Sequence, residues 1–334
     1  MNKDIKNSDK NNCSEVLTSQ SANLFDLSDF DHKKVQVKFS LEETSNDGGL
    51  LLLKEVDSQI GLIERLSSCI QDTRHQSYVK HTTGSMLSQR VMQIAAGYED
   101  TNDCNLLKED RILQLCANNQ KPLAAQPTMS RFENQTNSKQ LYKMAIAFID
   151  TFIASYAAEP EIIIIDSDDT NSFTYGQQEL ALYNDYYGDS CFMPLHVYEG
   201  LSGKLITTIL KPGRRSKSIN VFSIFKRIIQ YLRKHWPNTL IIFRGDSHFC
   251  SKEVMDYIHD LQKVEFITGL VGNKVLHKYA QLTIESAKYF YENTKKPVKR
   301  YHSFIYKAGS WTYPERVVVK VEVNSMGTNV RFIV

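Results

Sequence analysis

The chain has 334 residues, 42% apolar and 23% charged, with a formal net charge of +2. That is an ordinary globular composition with room for two domains, and the near-neutral total does not by itself announce a nucleic-acid partner, although local clusters of cations still could. No apolar run approaches the roughly 20 residues of a bilayer span, and the scattered cysteines, with no CxxC pair, exclude a zinc ribbon or disulfide framework and read as free thiols.

Residues 1–38 are rich in Asn, Ser, Asp and Lys and lack the apolar core of a signal peptide. They are expected to be disordered, and the protein cytoplasmic with no membrane association. Residues 39–158 carry helical periodicity. "GGLLLLKEVDSQIGLIERLSSCI", from Gly48, sets apolar residues three and four apart and predicts one helix. "HTTGSMLSQRVMQIAAGYED" and "DRILQLCANN" predict two more. In "QPTMSRFEN" a further helix starts with Thr128 and Ser130 in capping range, ahead of a long apolar core helix. Arg131 in this stretch reads either as part of a DNA-facing helix or as a bystander at a plain N-terminus.

The character changes at Glu159-Pro160. "EIIIIDSD", "CFMPLHVYEG" and "KLITTILKPG" predict three strands, the last two joined by the hairpin signal "GLSG". An amphipathic helix ("SINVFSIFKRIIQYLRKHW"), a strand ("NTLIIFRGDS"), a helix ("SKEVMDYIHDLQK") and a strand ("VEFITGL") follow. Residues 271–334, with "SFIYKAG", "ERVVVKVEV" and "NVRFIV", are expected to be a β-rich segment.

Two of these apolar strands end in acid. Alternation puts Asp166 and Asp168 on one face of the first strand and Asp169 on the other, and Asp246 follows the fourth strand. Such acids either cap backbone amides in turns or converge on a hard cation that takes one or two protein carboxylates. Two folds compete for the second option. "IIIIDSDDT" resembles the opening motif of haloacid dehalogenase-type phosphatases, where Asp166 would be the nucleophile and Asp168 the acid/base. A ribonuclease H-like core instead places one acid on its first strand and another after its fourth, the places of Asp168 and Asp246. A parallel phosphatase sheet needs a helical crossover directly after the first strand. Here two more strands and a hairpin follow, so the element order favours an α/β, ribonuclease H-like mixed sheet preceded by an all-α domain.

With these residues placed, the chain resembles the DDE transposases of bacterial insertion sequences, in particular the insertion-sequence thirteen-eighty family. The stretches that carry the resemblance include "GGLLLLKEVDSQIGL", "QPTMSRFEN", "DSDDTNSFTYGQQE", "YYGDSCFMPLHVYEG", "LKPGRRSK", "FRGDSHF" and "RVVVKVE". The resemblance implies cut-and-paste DNA transposition and a helical DNA-binding region at 39–158. It also implies a catalytic domain at 159–334 working with Mg2+ or Mn2+ on terminal repeats and target DNA, as a homodimer in the DNA complex. It places the first catalytic Asp on Asp168, with Asp166 as the alternative for that place and a further metal ligand, and the second on Asp246. The family's third acid, a Glu on a later helix in a Tyr, Arg, Glu, Lys pattern, has no counterpart here, and Glu322 on a predicted strand does not replace it. A chain cut short before that helix is therefore expected, with an inactive DNA-end-binding remnant as the second reading. Lys211, Arg214, Arg215 and Lys217 in "KPGRRSK" read as phosphate contacts or as a solvated basic loop.

Overall fold

The computed structural model describes residues 25–26, 36–37, 47–118, 122–176, 178–214 and 221–334. The expected disorder of residues 1–38 therefore lies outside the described residues, apart from a short antiparallel pair of strands, β1 (Phe25–Asp26) and β2 (Gln36–Val37). The chain divides into two compact units, Met1–Ala147 and Phe148–Val334.

From Leu50 onward the described residues of the first unit are helical. The stretch expected as one helix is two, α1 (Leu50–Ile60) and α2 (Leu62–Ser68). Gly61 adopts φ 65, a left-handed conformation that ends one helix and begins the next, and its N–H donates to the Asp57 carbonyl. Next come α3 (Thr83–Ala95), α4 (Asp103–Leu106), α5 (Arg111–Cys116) and α6 (Gln126–Asn134), and then α7 (Ser138–Ala154), whose last turns belong to the second unit. Thr82 and Asp110 cap α3 and α5 by accepting from the amides of Ser85 and Leu113. By contrast, α6 starts at Ala125 with no side-chain cap and Pro127 in its first turn, so Thr128 and Ser130 are not its caps.

Leu50, Leu51, Ile63, Met92, Leu113 and Leu123 form one buried cluster of this unit. Met86, Cys104, Met129 and Phe132 form a second. Gln89 is buried yet satisfied, donating to the Ala124 carbonyl and accepting from the Ala124 amide at 2.9 Å each.

The second unit is built on an eight-stranded mixed sheet. Its strands in chain order are β3 (Ile162–Asp169), β7 (Leu195–Glu199), β8 (Leu205–Ile209), β9 (Leu240–Gly245), β10 (Val264–Leu270), β11 (Val298–Tyr306), β12 (Glu315–Asn324) and β13 (Gly327–Ile333). The spatial order is β11-β12-β13-β10-β9-β3-β7-β8. Strand β3 pairs antiparallel with β7 and parallel with β9, and β9 pairs parallel with β10. This is the ribonuclease H-like arrangement. It removes the phosphatase reading, because the next main-sheet strand after β3 returns antiparallel beside it.

A small sheet of β4 (Ser172–Phe173), β5 (Leu182–Asn184) and β6 (Asp189–Phe192) lies between β3 and β7 in sequence. It takes the first residues of "CFMPLHVYEG", expected as a single strand. Pro194, which has no N–H for a ladder, falls in the break before β7.

Four β-branched residues make β3 a central strand, with Ile163 and Ile165 fully buried. Behind that face runs α8 (Val221–His235), its Phe225 ring 4.2 Å from that of Phe243. The crossovers α8 and α9 (Lys252–His259) are what allow β8, β9 and β10 to be joined in this order. Residues 271–334 differ from expectation in one respect. They open on a 21-residue helix, α10 (Lys274–Thr294), capped by Asn273, before the three expected strands. Leu276, Ala280 and Ala287 recur at helical spacing and bury against Val317, Val319, Val321 and Phe332. Among the described residues no helix is long and apolar enough to cross a membrane.

Candidate catalytic site

Strands β3 and β9 run side by side in parallel, in register from Ile162 with Leu240 to Ser167 with Gly245. The next positions are Asp168 and Asp246, so both acids stand at the same end of the sheet, on strands about 4.8 Å apart. Asp246 keeps an extended backbone, φ −74 and ψ −173, and alternation puts it on the face of Arg244, Asp166 and Asp168. The carboxylate of Asp168 is exposed and has no hydrogen-bond or ion-pair partner among the described residues. Asp246 caps the tight turn Ser247–Phe249. Its Oδ1 accepts from the His248 amide at 2.8 Å and its Oδ2 lies 2.9 Å from His248 Nδ1.

The neighbouring acids are engaged otherwise. Asp166 accepts from Arg244 Nε at 2.5 Å and, through its other oxygen, from the Arg244 terminal nitrogen. That hydrogen bonding holds the guanidinium above its ordinary pKa. Asp169, on the opposite face, takes the Lys211 ammonium at 2.5 Å. Of these four acids, Asp168 and Asp246 are the two with no Lys or Arg bound to them among the described residues.

Residues 27–334 match the family described as transposase DDE domain, group 1. The chain belongs to that family. Among curated proteins none matches it. Of solved structures, it is similar to the piggyBac transposase synaptic complex with hairpin DNA, at 12% identity and a TM-score of 0.36, covering 85% of this chain and 60% of that one. It is also similar to the Mos1 strand transfer complex, at 13% identity and a TM-score of 0.20, covering 75% of this chain and 90% of that one. A third is the simian T-cell lymphotropic virus intasome in complex with PP2A regulatory subunit B56 gamma, at 12% identity and a TM-score of 0.22, covering 59% and 88%. The chain thus spans three fifths of the piggyBac chain, and these distant likenesses carry no argument about its chemistry.

The described basic residues expected to serve this DDE domain differ in their surroundings. Lys211 is 8% exposed and held by Asp169, so its ammonium is not an open phosphate contact. Arg214 is exposed; Arg215 and Lys217 lie outside the described residues. Arg131 is exposed on α6, its guanidinium 3.3 Å from Thr128 Oγ1 within the helical unit.

Sequence reasoning missed Glu199 and His196. Glu199 is 1% exposed, and its carboxylate accepts from the amides of Ile164, Leu201 and Ser202 and from the Ser202 hydroxyl. Burial pushes its pKa up, but these bonds, led by Ser202, outweigh burial and hold the group below its ordinary range. An acid directly before the "GLSG" turn was the available signal. His196 pairs with Asp168 across the β3–β7 ladder, with its Nδ1 2.9 Å from Thr208 Oγ1. Nothing local in the sequence marks it.

A divalent cation fits what is present. Asp168 and Asp246 offer hard oxygen donors on adjacent strands, and one or two protein carboxylates are the usual share for Mg2+. Among the described residues no three His, Cys, Asp or Glu side chains gather as a complete cage.

Proposed function

We propose that this domain serves the cut-and-paste transposition of an insertion sequence of the thirteen-eighty branch, nicking element ends and joining the freed 3′-hydroxyl to target DNA. The observation that carries the reading is the level exit of Asp168 and Asp246 from the parallel pair β3 and β9. These two carboxylates would hold Mg2+ or Mn2+, which when bound supplies activation of a water or 3′-hydroxyl and neutralises charge on the phosphate. The chain's own part is placement. Asp168 has no ion-pair partner among the described residues, Asp246 is fixed by the turn it caps, and Lys211 neutralises Asp169 on the opposite face, where strand alternation puts it.

In this reading the helical region 39–158, Arg131 included, engages DNA. Arg214, with Arg215 and Lys217, meets phosphate beside the site, and two copies hold two element ends together. Lys211 has no such role.

The test is incubation of the purified protein with DNA carrying the element's terminal repeats. Mg2+-dependent nicking at the repeat boundary is expected, lost in Asp168→Asn and in Asp246→Asn. Nicking that survives both substitutions would overturn the reading. One observation favours a second reading, binding of DNA ends without cutting: among the described residues no third carboxylate joins the pair. A mobility shift on repeat DNA with no nicking in either Mg2+ or Mn2+ would select it.

A further inference from the structure

The bidentate pair of Asp166 with Arg244 lies on the same face as Asp168 and Asp246 and two residues before each of them. The two side chains are direct partners in the β3–β9 register, so their fork-to-fork contact ties the strands together one rung below the acids. Both Asp166 oxygens accept from the one Arg244 guanidinium, so the charge of this carboxylate is already met by a cation of the chain, as those of Asp168 and Asp246 are not.

The surroundings are shaped for the pair. Gly200, just past the end of β7, donates its amide to the Ile164 carbonyl at 2.8 Å and passes directly over the two groups. A Cβ there would stand 2.8 Å from Asp166 Oδ2 and 3.0 Å from the Arg244 terminal nitrogen, so a side chain would displace one of them. Gly200 is itself fixed by the turn that Glu199 closes through Leu201 and Ser202. A slip of one residue between β3 and β9 would carry Asp246 to the opposite face from Asp168. A directional charge pair one rung away resists that slip in a way the evenly spaced bonds of a parallel ladder do not.

We infer that Asp166 and Arg244 are positioning residues, a clamp under Gly200 that holds Asp168 and Asp246 level, and that Asp166 is not a metal ligand. The inference rests on the catalytic reading of Asp168 and Asp246.

The experiment is Mn2+ titration of the whole chain followed by electron paramagnetic resonance, with thermal melts to establish that each variant folds. Asp168→Asn and Asp246→Asn are the controls, expected to abolish binding. Arg244→Gln and Asp166→Asn are each expected to weaken Mn2+ about tenfold, the size of effect seen when groups supporting metal ligands are removed. The double exchange Asp166→Arg with Arg244→Asp is expected to recover most of that loss. Arg244→Lys, which keeps the charge without the fork, should fall between wild type and Arg244→Gln. If Asp166 were a ligand, Arg244→Gln would free its carboxylate and tighten Mn2+, and the exchange would lose binding; either result overturns the inference. If the exchange does not fold, an Arg244→Lys affinity equal to wild type overturns it. Unchanged binding in both controls would bring down the catalytic reading, and the clamp with it. Lost binding in the controls with none lost in Arg244→Gln would bring down the clamp alone.

Discussion

Glu199 and Asp168 both close a strand of the same sheet, and the molecule treats them in opposite ways. Glu199, at the end of β7, is buried, and four hydrogen bonds fill its carboxylate. Asp168, near the end of β3, is exposed and has no partner among the described residues. An acid at a strand end is therefore not a signature of chemistry. What matters is whether its lone pairs are already spent on the chain, as at a turn, or left open toward solvent and any cation arriving there.

The contrast is sharpest in stability. Glu199→Ala strands the amides of Ile164, Leu201 and Ser202 and is expected to cost about 3 kcal/mol in urea unfolding. A loss below about 1 kcal/mol would mean that the turn rearranges freely and Glu199 is no lock. Next in size is Lys211→Ala, which leaves Asp169 without its buried cation and should cost about 2 kcal/mol. If Lys211 were an open phosphate contact, that substitution would leave stability unchanged.

The pH dependence comes third. The folded pKa of Glu199 lies below its ordinary value of 4.5, so its contribution is complete above that value. It is lost as pH falls through the lower folded value. Wild type should accordingly lose more stability than Glu199→Gln between pH 5 and more acid conditions, as read by urea midpoints across that range. Equal slopes would remove the electrostatic account of the turn.

Smallest is Asp168→Asn, expected to change stability by no more than about 0.5 kcal/mol, because no bond to the carboxylate is given up. A large loss there would erase the distinction between the two acids.

Much of this site was legible from residue order. Ile162 to Ile165 announce a central strand, alternation separates Asp169 from Asp166 and Asp168, and the run of strands before the first long helix selects the ribonuclease H-like sheet over a parallel one. The "GLSG" hairpin between β7 and β8 was equally plain. What stayed hidden was long-range. The partner of Asp166 is Arg244, on a different strand and beyond α8, and a sequence carries no local mark of that register. Lys211 looked like part of an open basic loop because its neighbours Arg214, Arg215 and Lys217 are basic, yet a single contact with Asp169 takes it out of that role. Helix α10 was masked by the β-branched and aromatic runs that follow it, although Leu276, Ala280 and Ala287 already carried its period. The break at Gly61 was missed because apolar spacing continues across it while the backbone does not.

The position of β13 bears on how this sheet is assembled during synthesis. The chain leaves β10, runs through α10 to the outer edge at β11, and returns inward, so that β13 enters between β12 and β10. Until Gly327–Ile333 has emerged from the ribosome, β10 has β9 on one side and an unpaired row of backbone groups on the other. The β11–β12 hairpin forms earlier from nearby residues but has no strand through which to join the core. Nascent chains paused within this interval therefore carry a bare sheet edge next to a preformed hairpin, a combination prone to pairing with another molecule before β13 arrives.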